Sequence, residues 1–121
     1  MLEKLPAIVA SGFVLIYVAD LIGNHIYFKN RVFNALVTSI IWGILFLALD
    51  LFYAYQLPPP LVPDGWLVPL TAAGVALAFI SDLIGNTFLF NRRFANAFVT
   101  SIIWGVLFAV VYYALWHFEL V

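Results

Sequence analysis

The chain contains no cysteine, and only 9% of its residues are charged. The first absence removes disulfides, thiolate metal centres and cysteine nucleophiles, and with them any cue to redox compartment. The second falls far below the charge content of a soluble domain, which is about a quarter of its residues. Histidine is scarce as well: the two residues, His25 and His117, are too far apart in sequence to read as a metal-binding pair. A glycine-rich phosphate loop, a nucleophile elbow and nucleic-acid-binding motifs are all missing. No credible nucleophile–base pair stands out. Catalysis, a cofactor and a nucleic-acid partner are therefore not expected.

What fills the chain is apolar surface. Of 121 residues 66% are hydrophobic, and the mean hydropathy is +1.11. Four stretches, about 6–28, 32–55, 66–90 and 93–118, have the length that a bilayer crossing needs, about 20 residues. Almost nothing is left over for a soluble domain. The expected fold is an all-α integral membrane protein with four transmembrane helices, one membrane domain over 1–121, in contact with the lipid bilayer. The first stretch has some features of a signal peptide, with small residues at Ala7, Ala10, Ser11 and Gly12. Its likeness to the third stretch argues that it is a retained helix.

That likeness is extensive. Residues 10–46 and 72–108 align without a gap at an offset of 62, with 21 of 37 positions identical. The shared set includes Asp20/Asp82, Gly23/Gly85, Asn24/Asn86, Arg31/Arg93, Asn34/Asn96, Thr38/Thr100, Ser39/Ser101 and Trp42/Trp104, while Leu36/Phe98 and Phe33/Ala95 have drifted. Some greasy positions diverge while an acid, two amides and two hydroxyls stay, which points to one task shared by both copies. Each copy reads as a helical hairpin, about 6–55 and about 66–118, joined by a proline-rich linker, 56–65, whose three consecutive prolines favour an extended polyproline path. Two spans per copy bring both hairpins into the membrane in the same orientation. The pseudo-twofold axis should then run along the membrane normal.

Four of the five basic residues, Lys29, Arg31, Arg92 and Arg93, sit in or beside the turns 28–31 and 90–93. Basic residues in short loops mark the cytoplasmic side. Both turns are expected there, and both termini on the opposite face. Tyr53, Tyr55, Trp66 and Trp116 fall where the spans should meet the outer headgroups. Ala19 with Gly23, and Ser81 with Gly85, have the small-residue spacing that lets helices approach closely in lipid.

Helical spacing places Asp20, Gly23, Asn24 and Tyr27 on one face of the first span, and Asn34, Thr38, Ser39 and Trp42 on one face of the second. From a rise of about 1.5 Å per residue, Asp20 and Thr38 lie about 13–14 Å from the middle of their turn, and Asn24 and Asn34 about 7–8 Å. An amide layer nearer the turns and a carboxylate–hydroxyl layer near mid-bilayer result, and the second hairpin repeats both. Aspartate at the centre of a membrane helix costs about 2.5–3.5 kcal/mol on insertion. An acid at that depth is a functional candidate by default. Two acids meeting across the axis cannot easily both ionise; they share a proton or hold a cation.

The candidate ion- or substrate-binding residues are therefore Asp20, Asp82, Asn24, Asn86, Asn34, Asn96, Thr38, Thr100, Ser39, Ser101, Trp42 and Trp104. Any metal would fall to Asp20 and Asp82, whose oxygen-rich neighbours suit hard ions. Trp42 and Trp104, about one turn further out, offer indole faces to an organic cation. In size, helix number and a membrane-embedded acid near aromatics, the chain resembles the small multidrug exporters. Their acid, however, is a glutamate early in the first helix, and they lack a tandem hairpin. These observations imply a small transporter or channel for protons, metal cations or small organic cations, working as a homo-oligomer or in a larger membrane complex. The alternative is a non-catalytic accessory or assembly subunit whose polar stripe only packs helices.

Overall fold

In a computed structural model, residues 5–26, 30–56, 65–89 and 92–118 are described. The linker residues 57–64, the turn residues 28, 29, 90 and 91, and Tyr27 lie outside that set. The side chains of Tyr53 and Tyr55, the outermost aromatics of the second span, lie outside it too. Four helices account for nearly everything else: α1 (Leu5–Ile26), α2 (Arg31–Gln56), α3 (Leu67–Leu89) and α4 (Arg93–His117). Each is long and apolar enough to cross a membrane, so the chain is a multi-pass membrane protein by length and composition.

The helix starts follow from local chemistry. Pro6 and Pro69 sit in the first turns of α1 and α3, where a missing N–H costs nothing. Gly65 takes a φ of 81° just ahead of α3, a left-handed conformation that glycine adopts without a Cβ penalty. Asn30 caps α2: its Oδ1 accepts from the backbone N–H groups of Val32 and Phe33, both at 3.0 Å. Arg92, which holds the corresponding place before α4, has extended backbone angles but makes no side-chain cap bond. Asn30→Ala should consequently cost about 1 kcal/mol of stability. Arg92→Ala should cost nothing through capping. Thermal unfolding of both variants in the same detergent checks the difference.

The helices form a ring in which α1 packs on α2 and α4, and α3 packs on α2 and α4. Thus α1 lies diagonal to α3, and α2 to α4. Contacts between α1 and α2 pair falling numbers with rising ones, Asn24 with Asn34, Asp20 with Thr38 and Gly12 with Trp42, so the two run antiparallel. The buried face of α1 is Ile8, Gly12, Ile16, Ala19, Asp20, Gly23 and Asn24, a narrow seam of three- and four-residue steps. The residues left outside include Val14, Val18, Ile40, Ile44, Ile102 and Val106. The carboxylates of Asp20 and Asp82, the four asparagine amides and the Thr38 and Thr100 hydroxyls are inside, and much of the outer face is branched aliphatic. Hydrocarbon as solvent demands that inversion, because it cannot hydrogen-bond a polar side chain.

Candidate functional site

The interior is stacked in layers, and the layer nearest the turns is made of amides. Asn34 Nδ2 donates to Asn24 Oδ1 at 2.9 Å, Asn24 Nδ2 to Asn96 Oδ1 at 3.2 Å, Asn96 Nδ2 to Asn86 Oδ1 at 2.7 Å, and Asn86 Nδ2 to Asn34 Oδ1 at 3.0 Å. The circle closes. Each helix contributes one asparagine, each amide gives one bond and receives one, and all four are fully buried. Asn86 also donates to the backbone carbonyl of Arg31 at 3.0 Å. The sequence placed these residues at one depth but gave no sign that donors and acceptors would run head to tail around the bundle.

About one turn further in lie the acids. Thr38 Oγ1 donates to Asp20 Oδ1 at 2.9 Å, and Thr100 Oγ1 to Asp82 Oδ1 at 3.0 Å. Gly23 and Gly85 make room for those threonines. A Cβ at Gly23 would stand 2.7 Å from Thr38 Oγ1, and one at Gly85 would stand 2.5 Å from Thr100 Oγ1. Across the diagonal the Asp20 and Asp82 carboxyls interact with each other, and each also interacts with the other hairpin's threonine. Both acids are fully buried. One oxygen of each, Oδ2, meets no donor among the described residues. Ionised carboxylates only accept hydrogen bonds, so contact between two of them becomes attractive only when something positive lies between.

The layer beyond the acids is aromatic. Trp42 Nε1 donates to the Gly12 carbonyl at 3.2 Å and Trp104 Nε1 to the Gly74 carbonyl at 3.1 Å. The two indoles meet across the other diagonal with ring centroids 5.2 Å apart. Each stacks on a phenylalanine of its own helix, Trp42 on Phe46 at 4.8 Å and Trp104 on Phe108 at 4.5 Å. All four rings are fully buried. One face of each indole is thus taken up by a phenylalanine of its own helix.

The seats for these rings are glycines, a role the sequence reading missed although both belong to matched pairs. A Cβ on Gly12 would collide with the six-membered ring of Trp104, and one on Gly74 with that of Trp42. Each hairpin therefore receives the other's indole. Gly12→Ala or Gly74→Ala should destabilise the bundle by about 1–3 kcal/mol, because a ring has no flexible end to yield. Gly105→Ala is the control: its Cβ would meet Phe13 at an ordinary 3.5 Å. Tryptophan emission followed through unfolding separates the three variants.

The remaining candidates are placed apart from the acids. Ser39 and Ser101 are buried, but their hydroxyls turn back onto their own helices, donating to the Leu36 and Phe98 carbonyls at 2.8 and 2.7 Å. Trp66, read as an interfacial residue, is only 5% exposed and packs on Tyr112 with centroids 5.0 Å apart. Tyr112 holds the position that Asp50 holds in the first copy. His25 is exposed and lines an outer groove of about 360 Å³ with Leu21, Ile22 and Phe94. A second groove of about 300 Å³ runs along Leu47, Leu67, Val68, Thr71 and Ala72. Neither groove is lined by the buried polar residues. No family model, curated protein or solved structure matches this chain. Its chemistry has to be read from the layers alone.

Among the described residues no cluster of three or more acidic or histidine side chains stands ready for a metal. What the arrangement offers is a pair of carboxyls with two unspent oxygens, shut in by amides on one side and rings on the other.

Proposed function

We propose that the chain is a small membrane transporter or channel that moves a proton or a hard cation by way of Asp20 and Asp82. The observation that carries this reading is the pair itself. Two acids meet in the middle of an apolar bundle, each with an oxygen that nothing among the described residues satisfies. Packing alone would favour neutral partners there, since an orphaned buried acceptor costs about 1–3 kcal/mol. Closure on both sides fits a carrier caught occluded better than a standing pore. The tandem hairpins are read as related by a twofold axis along the membrane normal, with the basic turns cytoplasmic and both termini opposite. Four helices enclose little volume, so the working unit is a homo-oligomer or part of a larger complex.

One observation favours the accessory reading instead. The asparagine circle is complete within itself and asks for no ligand. Reconstitution decides between the two. Vesicles containing the wild-type chain should pass H⁺, Na⁺, K⁺ or Mg²⁺ faster than empty vesicles. Flux at the empty-vesicle level for all four, and for hydrophobic organic cations, gives the case to assembly.

A further inference from the structure

The donors still free around the acid pair identify its ion. Each carboxyl has one oxygen engaged by a threonine hydroxyl. All four amide oxygens of the neighbouring layer accept from an adjacent amide. At the level of the acids the unpartnered oxygens are Asp20 Oδ2 and Asp82 Oδ2. Ser81 Oγ is unpartnered as well, but it lies one residue, about 100°, round α3 from Asp82. Ala19 stands at the matching place in the first hairpin, so no symmetry-related oxygen joins it.

A metal asks for more than this. Mg²⁺ takes six near-octahedral oxygens and Ca²⁺ six to eight. K⁺ sites replace a hydration shell with rings of carbonyls, whereas the amide carbonyls here point at amide hydrogens. A proton needs only two oxygens.

We propose that the ion is a proton, held one per pair between Asp20 and Asp82 as a carboxylic acid donating to a carboxylate. The inference rests on the reading of this pair as the working site. The O–H on one Oδ2 donates to the other Oδ2, which satisfies both orphaned atoms at once. A second proton would crowd two hydrogens between the same two oxygens, because each Oδ1 is already met by a threonine. The groups that interact with the pair are Thr38 from α2, Thr100 from α4 and, at Asp82, the Asn86 amide of its own helix, with no basic side chain among the described residues that do so. The bound proton is therefore exchanged with water, not handed to a neighbouring base.

Infrared spectroscopy of the full chain in vesicles at neutral pH tests the proposal, alongside equilibrium dialysis against Na⁺, K⁺, Mg²⁺ and Ca²⁺. The wild type should show the carbonyl band of a protonated carboxyl, shifted in D₂O. Asp20→Asn and Asp82→Asn should each abolish it, since the new amide donates to the remaining carboxylate without a proton. Dialysis should find no stoichiometric cation on the wild type. A missing band in the wild type, a band that survives either substitution, or one bound metal ion per chain overturns the proposal. The flux measurement is separate: a band without flux keeps the proton and removes transport, and a bound metal with flux does the reverse.

Discussion

Asp20→Asn should bring cation flux down to the level of empty vesicles, a loss of more than tenfold, without loosening the bundle, and Asp82→Asn should do the same. Asparagine is nearly isosteric with aspartate, so Thr38 still finds an acceptor on residue 20. The new Nδ2 group donates to Asp82 Oδ2 in place of the shared proton, so that oxygen stays satisfied. Hydrogen bonds to a charged partner contribute about 1.5–3 kcal/mol, against about 0.5–1.5 kcal/mol for neutral ones. The variants should therefore unfold at the wild-type temperature or above it. Lost activity with stability held or raised is the mark of residues kept for function and not for stability. The measurements are flux in vesicles and thermal unfolding in detergent for both single variants and the double. Full flux in the double variant removes the pair from the pathway, and failure of all three to accumulate makes it an element of packing.

The second large effect concerns the amide circle. Asn34→Leu deletes the donor to Asn24 and the acceptor for Asn86. Asn24 Oδ1 then loses its Asn34 donor, and Asn86 Nδ2 keeps only the Arg31 carbonyl. A buried polar group left unsatisfied costs about 1–3 kcal/mol in proteins generally. Interhelical hydrogen bonds in membranes average about 0.6 kcal/mol, because the separated helices find other partners. A loss of about 2 kcal/mol is the balanced expectation for this one substitution. The fourfold variant, with leucine at 24, 34, 86 and 96, should lose less than the single one, since no amide remains to be stranded. Unfolding in denaturant ranks the two. A fourfold variant markedly worse than Asn34→Leu would mean that the amides do more than satisfy one another.

The parts of the molecule that were readable in advance are those set by period and length. The 3.6-residue repeat put Asp20 with Asn24 and Thr38 with Asn34 on common faces, and rise per residue put acid beside hydroxyl and amide beside amide. Apolar length gave four spans, with ends near those of α1 to α4. Other features depend on directions that spacing does not encode. Thr38 and Ser39 are neighbours with similar hydroxyls, yet one reaches Asp20 and the other folds back onto Leu36. Serine's habit of bonding to its own preceding turn was the signal available. Trp42 read as a wall beside the acids because its outward distance was right. The glycine that seats its ring, Gly74, belongs to the other hairpin, beyond the reach of a one-helix pattern. Asn30 was passed over as part of a basic turn, although an asparagine just before a helix is an ordinary cap.

Within each hairpin three side-chain bonds tie one helix to the other: Trp42 to Gly12, Thr38 to Asp20 and Asn34 to Asn24 in the first, with their counterparts in the second. This has a bearing on how the chain is made. When the first half leaves the ribosome and enters the bilayer, its partner has not yet been synthesised, and an aspartate would face lipid alone. Three ready-made rungs let that half close on itself and wait. Arrival of the second half then requires only that the two zipped pieces exchange indoles and join their amides.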